Sequence, residues 1–157
     1  PSWTTSRNRS ISTPIEPHVY LIDTNVISEL REGKPRPDPA VLAWAGTALP
    51  QSLFLSVVTK FELEMGELRL ARRDPAQAIV LRTWRQLVLA QFTGRVLPFT
   101  EFTTPFCAAL HVPDPRSFRD AMIAATALEH GFTVVTRNVG DFTGTGVRLL
   151  NPWDFNA

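Results

Sequence analysis

The chain has 157 residues, 44% hydrophobic and 20% charged, the size and composition of one ordinary globular domain. Sixteen Lys and Arg against fifteen Asp and Glu leave a net charge of +1, which excludes a strongly basic nucleic-acid wrapper and an acidic disordered tail. One cysteine, Cys107, excludes an intramolecular disulfide framework and a Cys-rich zinc site, and fits a reducing, cytoplasmic setting. The purest apolar run, Ala121 to Ala125, falls far short of the roughly 18 residues of a membrane span.

Residues 1 to about 17 are rich in Ser, Thr and Pro and show no hydrophobic period, so they read as a flexible tail or a cloning remnant. The remainder, 18–157, is expected to be a single domain. His18 to Ile22 reads as a first strand. A short helix follows from Thr24 to Arg31. Asp38-Pro39 gives a cap and a first-turn proline for a helix through Val41, Leu42 and Trp44. Ser52 to Leu55 reads as strand two, and Ser56 or Thr59 caps a helix to about Arg72. Asp74-Pro75 repeats the cap signal. The helix behind it carries Ile79, Val80, Trp84, Leu87, Val88 and Phe92 on a broad apolar face. Arg95 to Phe99 reads as strand three, followed by a helix from Thr104 to His111 and a loop, Val112 to Arg116. Ser117 opens a helix to His130, with Gly131 just past its end. Phe132 to Thr136 is strand four, and Val147 to Leu150 a last short strand. Strands separated by helices predict an α/β three-layer sandwich, with a mainly parallel sheet of four to five strands between helical layers. Ligands of such sheets sit beyond the C-terminal strand ends, near a topological switch point.

Asp23-Thr24-Asn25 stands directly after strand one, and Asn138 and Asp141 follow strand four. Each has a structural reading as a cap or turn residue. In the Ser56–Arg72 helix, Val57, Val58, Phe61, Met65 and Leu68 form one apolar arc. Glu62 and Glu64 border that arc on opposite sides, Glu67 points to solvent, and periodicity does not choose between Glu62 and Glu64. Ser117 to Asp120 matches a capping box. The same Asp120 opens a helix that is apolar on every face, so its carboxylate lies at the positive end of a buried dipole. Two carboxylates about 4 Å apart repel by on the order of 4 kcal/mol at an effective dielectric near 20. A fold that gathers three of them is expected to neutralise them with a hard divalent cation, Mg²⁺ or Mn²⁺. Such a pair of acidic pocket and cation handles phosphodiesters or phosphates. Arg116 and Arg119 flank Asp120, and Arg137 follows strand four; each reads as a solvated charge or as a contact to an RNA phosphate. The three histidines have no metal spacing, and no glycine-rich nucleotide loop is present.

Four segments carry a family resemblance. Val19 to Leu30, around Asp23-Thr24-Asn25, resembles the opening signature of PIN-domain proteins. Phe61-Glu62-Leu63-Glu64-Met65-Gly66 is similar to their second motif, Arg119 to Ala127 to the third, and Val135 to Phe142 to the fourth. Asn151-Pro152-Trp153 resembles the common ending. The nearest subgroup is the VapC/FitB-like toxins of type II toxin–antitoxin pairs. The resemblance implies a PIN-like sandwich and a toxin acting as an endoribonuclease dependent on Mg²⁺ or Mn²⁺. Asp23, Glu62 and Asp120 would hold the metal, with Asn138 or Asp141 completing the catalytic set. Thr24, Asn25 and Thr136 would support the pocket. It also implies a VapB-like antitoxin, an RNA substrate and a homodimer, with no membrane. Two other readings place an Asp after strand one. A haloacid-dehalogenase-like phosphatase expects Asp-x-Asp, but position 25 is Asn and no suitable lysine follows a later strand. A PIN module used only for binding or regulation rests on the neutral Asn138.

Overall fold

A computed structural model describes residues 18–156; the tail expected for 1–17 lies outside the described residues. Five strands form one parallel sheet in the order β3-β2-β1-β4-β5. They are β1 (Tyr20–Ile22), β2 (Leu53–Ser56), β3 (Val96–Leu97), β4 (Thr133–Val135) and β5 (Leu149–Leu150). Six helices connect them: α1 (Thr24–Glu29), α2 (Pro39–Thr47), α3 (Val57–Ala71), α4 (Pro75–Gln91), α5 (Thr104–Leu110) and α6 (Phe118–His130). The strands are shorter than the apolar runs that announce them, because pairing stops where a neighbour ends.

Strand alternation separates two cores. Ile22, Leu55 and Val135 face one way, against Val26, Val41, Trp44 and Phe92 of α1, α2 and the end of α4. Leu21 and Val134 face the other way, against Val58, Ile123, Ala124, Ala127 and Phe142. The period of two puts neighbours Leu21 and Ile22 on opposite sides of one sheet. A sheet buried on both faces explains why β1 and β4 read as unbroken apolar runs rather than alternating ones.

The helix signals act as their chemistry demands. Asp38 accepts hydrogen bonds from the amides of Ala40 and Val41, with Pro39 in the first turn. Asp74 accepts from the Gln77 amide at 3.2 Å. Ser56, not Thr59, caps α3, accepting from Val58 at 3.0 Å. Ser117 accepts from the Asp120 amide at 3.4 Å, which is half of the capping box. Gly131 closes α6 at φ 70°, a left-handed position that favours glycine.

Two faces differ from expectation. Glu67 is not solvated: it is 4% exposed, and its carboxylate accepts from Arg82 Nε and Arg85 Nε, both at 2.6 Å. These two arginines stand on α4, so the pairing clamps the α3–α4 hairpin. Their hydrogen bonds hold the Glu67 carboxyl below the usual glutamate range, outweighing its burial. The arc of Val57, Phe61 and Leu68 correspondingly turns outward, with Phe61 60% and Leu68 67% exposed. On α4, only part of the apolar face is covered. Trp84 and Val88 pack on the core, whereas Ile79, Val80 and Leu87 are exposed.

Candidate active site

The chain runs β1 to β2 to β3 outward along one half of the sheet, then returns to lay β4 on the other side of β1. The C-terminal ends of β1 and β4 therefore border the switch point, where connections diverge and leave a crevice. Asp23 is the first residue after β1. Its amide still donates to the Val135 carbonyl at 2.9 Å, so the backbone is held in the sheet while the side chain turns out at the crevice. The residue is 1% exposed. Thr136 directly follows β4 alongside it, also fully buried, and its hydroxyl donates to Asp23 Oδ2 at 2.8 Å. The Thr24 amide donates to Asp23 Oδ1 at 2.7 Å, so Asp23 is also the N-cap of α1.

Glu62 arrives from the second turn of α3. Its Oε1 accepts from the Thr24 hydroxyl at 2.9 Å. Glu64, on the other border of the arc, pairs with Lys60 one turn back and takes no part in the crevice. The geometry thus separates the two glutamates that periodicity left equivalent. Asp120 comes from the first turn of α6.

The three acids meet at Arg119. Its Nη2 donates to Asp23 Oδ1 at 2.5 Å, its Nε to Glu62 Oε2 at 2.8 Å, and its Nη1 to Asp120 Oδ1 at 2.9 Å. A planar guanidinium offers donors in a fixed fork, which is what allows one side chain to reach three carboxylates from three elements. Burial disfavours its charge, but hydrogen bonds to Glu62, Asp23 and Asp120 outweigh that and raise the Arg119 pKa further. Arg119, which the sequence leaves as a solvated charge or a phosphate contact, is the counterion of the acidic cluster in this structure.

The remaining residues form a rim. Asn25 Nδ2 donates to Thr136 Oγ1 at 3.4 Å, and Asn25 Oδ1 accepts from the Arg137 amide at 3.2 Å, tying α1 to the end of β4. The Asn138 amide donates to Thr136 Oγ1 at 3.1 Å. Asn138 and Asp141 are exposed in the single turn after β4, and neither side chain hydrogen-bonds to any described residue. Arg137 lies 5.1 Å over the Trp153 ring. Arg116 donates to the Thr143 carbonyl at 2.9 Å, away from the acids.

Beside the cluster runs an apolar groove of about 510 Å³ between α3 and α6. Val57, Phe61, Met65, Phe118 and Met122 line it, and Glu62 and Arg119 form its polar end. The outward turn of α3 creates this groove. The exposed Phe61 and Phe118 were its only signal in the sequence: large apolar residues within three positions of a site carboxylate.

The PIN domain family model matches residues 20–143. The chain belongs to the PIN-domain family. Among curated relatives, it is 38% identical over 141 residues to the VapC ribonuclease Y4jK of Sinorhizobium fredii, covering 87% of this chain and 99% of that one. It is 34% identical over 145 residues to the toxin FitB of Neisseria gonorrhoeae, covering 86% and 99%. Among solved structures, FitAB bound to an IR36 DNA fragment contains a chain that superposes with a TM-score of 0.77 at 33% identity, covering 88% and 99%. The VapC/FitB toxin branch is thus the part of the PIN family that this chain resembles over most of its length. Asp23, Glu62 and Asp120 come from three separate segments of the matched region and meet beside the switch point of the sheet.

The donor chemistry of the cluster suits a hard divalent cation. All six carboxylate oxygens and two threonine hydroxyls are hard ligands or their supports. Three carboxylates against one guanidinium leave a formal charge of −2. With Arg119 at the centre, however, no three His, Cys, Asp or Glu side chains among the described residues are arranged to hold an ion.

Proposed function

We propose that the protein is a divalent-metal-dependent endoribonuclease that acts as a toxin and is neutralised by a small antitoxin. The observation that carries this reading is the convergence of Asp23, Glu62 and Asp120, from β1, α3 and α6, on one point of the crevice. Relatives named ribonuclease and toxin support it.

Asp23, Glu62 and Asp120 are the residues that would hold Mg²⁺ or Mn²⁺. When bound, such an ion supplies Lewis-acid activation of a water and neutralises charge building on the phosphoryl group. Asp23 is the most fixed of the three: capping α1, bonded by Thr136 and buried, it keeps one orientation. Thr24 orients Glu62 through its hydroxyl, and Thr136 orients Asp23, so two of the three acids have one oxygen aimed by a threonine. Glu62 and Asp120, both half-buried, are the acids that an incoming phosphate would meet first, with Asp23 buried behind them. On this reading Asn138 and Asp141, exposed in the turn beyond β4, would meet a water or a ribose hydroxyl. Arg116 and Arg137 supply positive charge outside the acidic pocket, suited to adjacent phosphates.

A homodimer and an antitoxin would both use apolar surface. Two stretches are open to them: the groove beside the cluster and the outer face of α4, at Ile79, Val80 and Leu87. The solved FitAB assembly supports a partner of this kind.

The test is RNA cleavage by the purified chain. Single-stranded RNA should be cut with Mg²⁺ or Mn²⁺ and left intact in EDTA. Full cleavage in EDTA, or hydrolysis of small phosphomonoesters with no RNA cleavage, would overturn the reading.

A further inference from the structure

The six carboxylate oxygens of the cluster are almost fully engaged. Asp23 Oδ1 accepts from the Thr24 amide and from Arg119; Asp23 Oδ2 accepts from Thr136. Glu62 Oε1 accepts from Thr24, and Glu62 Oε2 from Arg119. Asp120 Oδ1 accepts from Arg119, and only Asp120 Oδ2 has no partner among the described residues. Each acid gives Arg119 one oxygen, and those three oxygens surround a single guanidinium.

We propose that Arg119 is a latch on the carboxylate cluster. Its guanidinium and a divalent cation compete for Asp23 Oδ1, Glu62 Oε2 and Asp120 Oδ1, so that the cation loads only when the guanidinium swings out. This deepens the metal-dependent reading above and rests on it.

Three observations carry the proposal. First, Mg²⁺ and Mn²⁺ bind carboxylate oxygens directly at close range, and the oxygens that face one another here already hold Arg119 N–H groups. An ion and a guanidinium sharing them would stand within a few ångströms at like charge, which is strongly repulsive in a half-buried site. Second, the oxygens held by Thr24 and Thr136 already accept hydrogen bonds, at 2.9 and 2.8 Å, so they are not free to form an alternative cage. Third, Arg119 has somewhere to go. It is the second residue of α6, its side chain is 33% exposed, and it already borders the groove of Val57, Phe61, Phe118 and Met122. A long arginine stem lies readily along such a wall while its head reaches water.

The latch also supplies the counter-charge of the cluster. Asp23 carries its charge at 0% side-chain exposure, and Arg119 is its only cationic partner among the described residues. In the open state the ion would replace that partner, and the freed guanidinium would stand at the mouth of the crevice, where a phosphate enters. Arg119 is on this account a positioning residue, acting through the cluster rather than on the reacting atoms.

The experiment is Mn²⁺ titration by calorimetry on the full chain, comparing wild type with Arg119→Gln and Arg119→Lys. The expected result is Mn²⁺ binding tighter in Arg119→Gln by about tenfold or more, within the usual range of coupling between competing ligands. Arg119→Lys, which keeps the charge but loses the fork, should fall between the two. Equal or weaker binding in Arg119→Gln overturns the latch while leaving the metal reading intact; no binding to any of the three overturns both. A merely structural Arg119 would lower stability and leave Mn²⁺ affinity unchanged. Should the glutamine variant fail to fold, the unmutated protein decides. In a side-chain NMR spectrum the Arg119 Nε–H signal, held by Glu62, should shift and lose exchange protection as Mg²⁺ saturates. A signal unmoved at saturation overturns the proposal.

Discussion

Replacing Asp23 by Asn tests the site where fold and chemistry meet. The side chain accepts from the Thr24 amide, the Thr136 hydroxyl and Arg119 Nη2, at 2.7, 2.8 and 2.5 Å. Asn keeps the shape and one acceptor oxygen, so the α1 cap survives. Two things change. Hydrogen bonds to a charged acceptor, worth about 1.5–3 kcal/mol each, become neutral ones of about half that strength. The new amide also faces Thr136, whose oxygen already accepts from Asn25 and the Asn138 amide, so its proton loses an acceptor. Against this, one buried negative charge disappears and its repulsion with Glu62 and Asp120 with it. The net is a loss of about 2 kcal/mol, or roughly 4–8 °C in Tm for a domain of this size. RNA cleavage should fall much further, by at least about a hundredfold, as when a preorganised charge at a reaction centre is removed. Circular-dichroism melting and a fluorescent RNA substrate in Mn²⁺ read the two effects separately. Wild-type cleavage with the Tm loss would place the chemistry elsewhere. A rise in Tm would mean that repulsion, not pairing with Arg119, dominates the cluster.

Other changes have distinct expected outcomes. Glu62→Gln should abolish most RNA cleavage while Glu64→Gln leaves it near wild type; equal losses would show that the crevice does not distinguish them. Glu67→Gln should lower Tm at neutral pH by releasing Arg82 and Arg85 from α3. Because the folded pKa of Glu67 is depressed, its contribution is present above the ordinary glutamate pKa. It fades as pH falls through the lowered folded value. The wild-type advantage in melting should therefore shrink on acidification; an advantage that grows would refute the clamp. Gly131→Ala has open space around its new Cβ but must hold φ 70°, so it should cost about 1–2 kcal/mol in urea unfolding with the slope and the cleavage unchanged.

Local signals in the sequence carried far. Asp38-Pro39, Asp74-Pro75, Ser117 and Gly131 mark helix ends because a cap needs only its own neighbours, and all four behave as written. The parallel order of strands followed from helix-length connections. The position of Asp23 after β1 followed from where α/β sheets bind ligands, and the four PIN motifs singled out Glu62.

What failed was whatever a distant partner decides. Periodicity turned Glu67 to solvent, since it assumes that the apolar arc faces inward. Nothing near Glu67 reveals that Arg82 and Arg85, 15 and 18 residues on, return on an antiparallel helix to neutralise it. Once α3 is rotated by that clamp, Phe61 and Leu68 must face out. Arg119 was legible as a neighbour of Asp120 but not as the hub of the cluster, because Glu62 and Asp23 lie 57 and 96 residues away. An arginine beside a site acid, in a pocket with too many carboxylates, is the signal that could have pointed to an internal counterion.

The most direct measurement is anomalous diffraction from crystals of the full chain soaked in Mn²⁺. The account places one strong peak within ligand distance of Asp23, Glu62 and Asp120, with the Arg119 side chain withdrawn. A peak bound only by other residues, or Arg119 still bridging all three acids in a crystal whose protein cuts RNA, would contradict it.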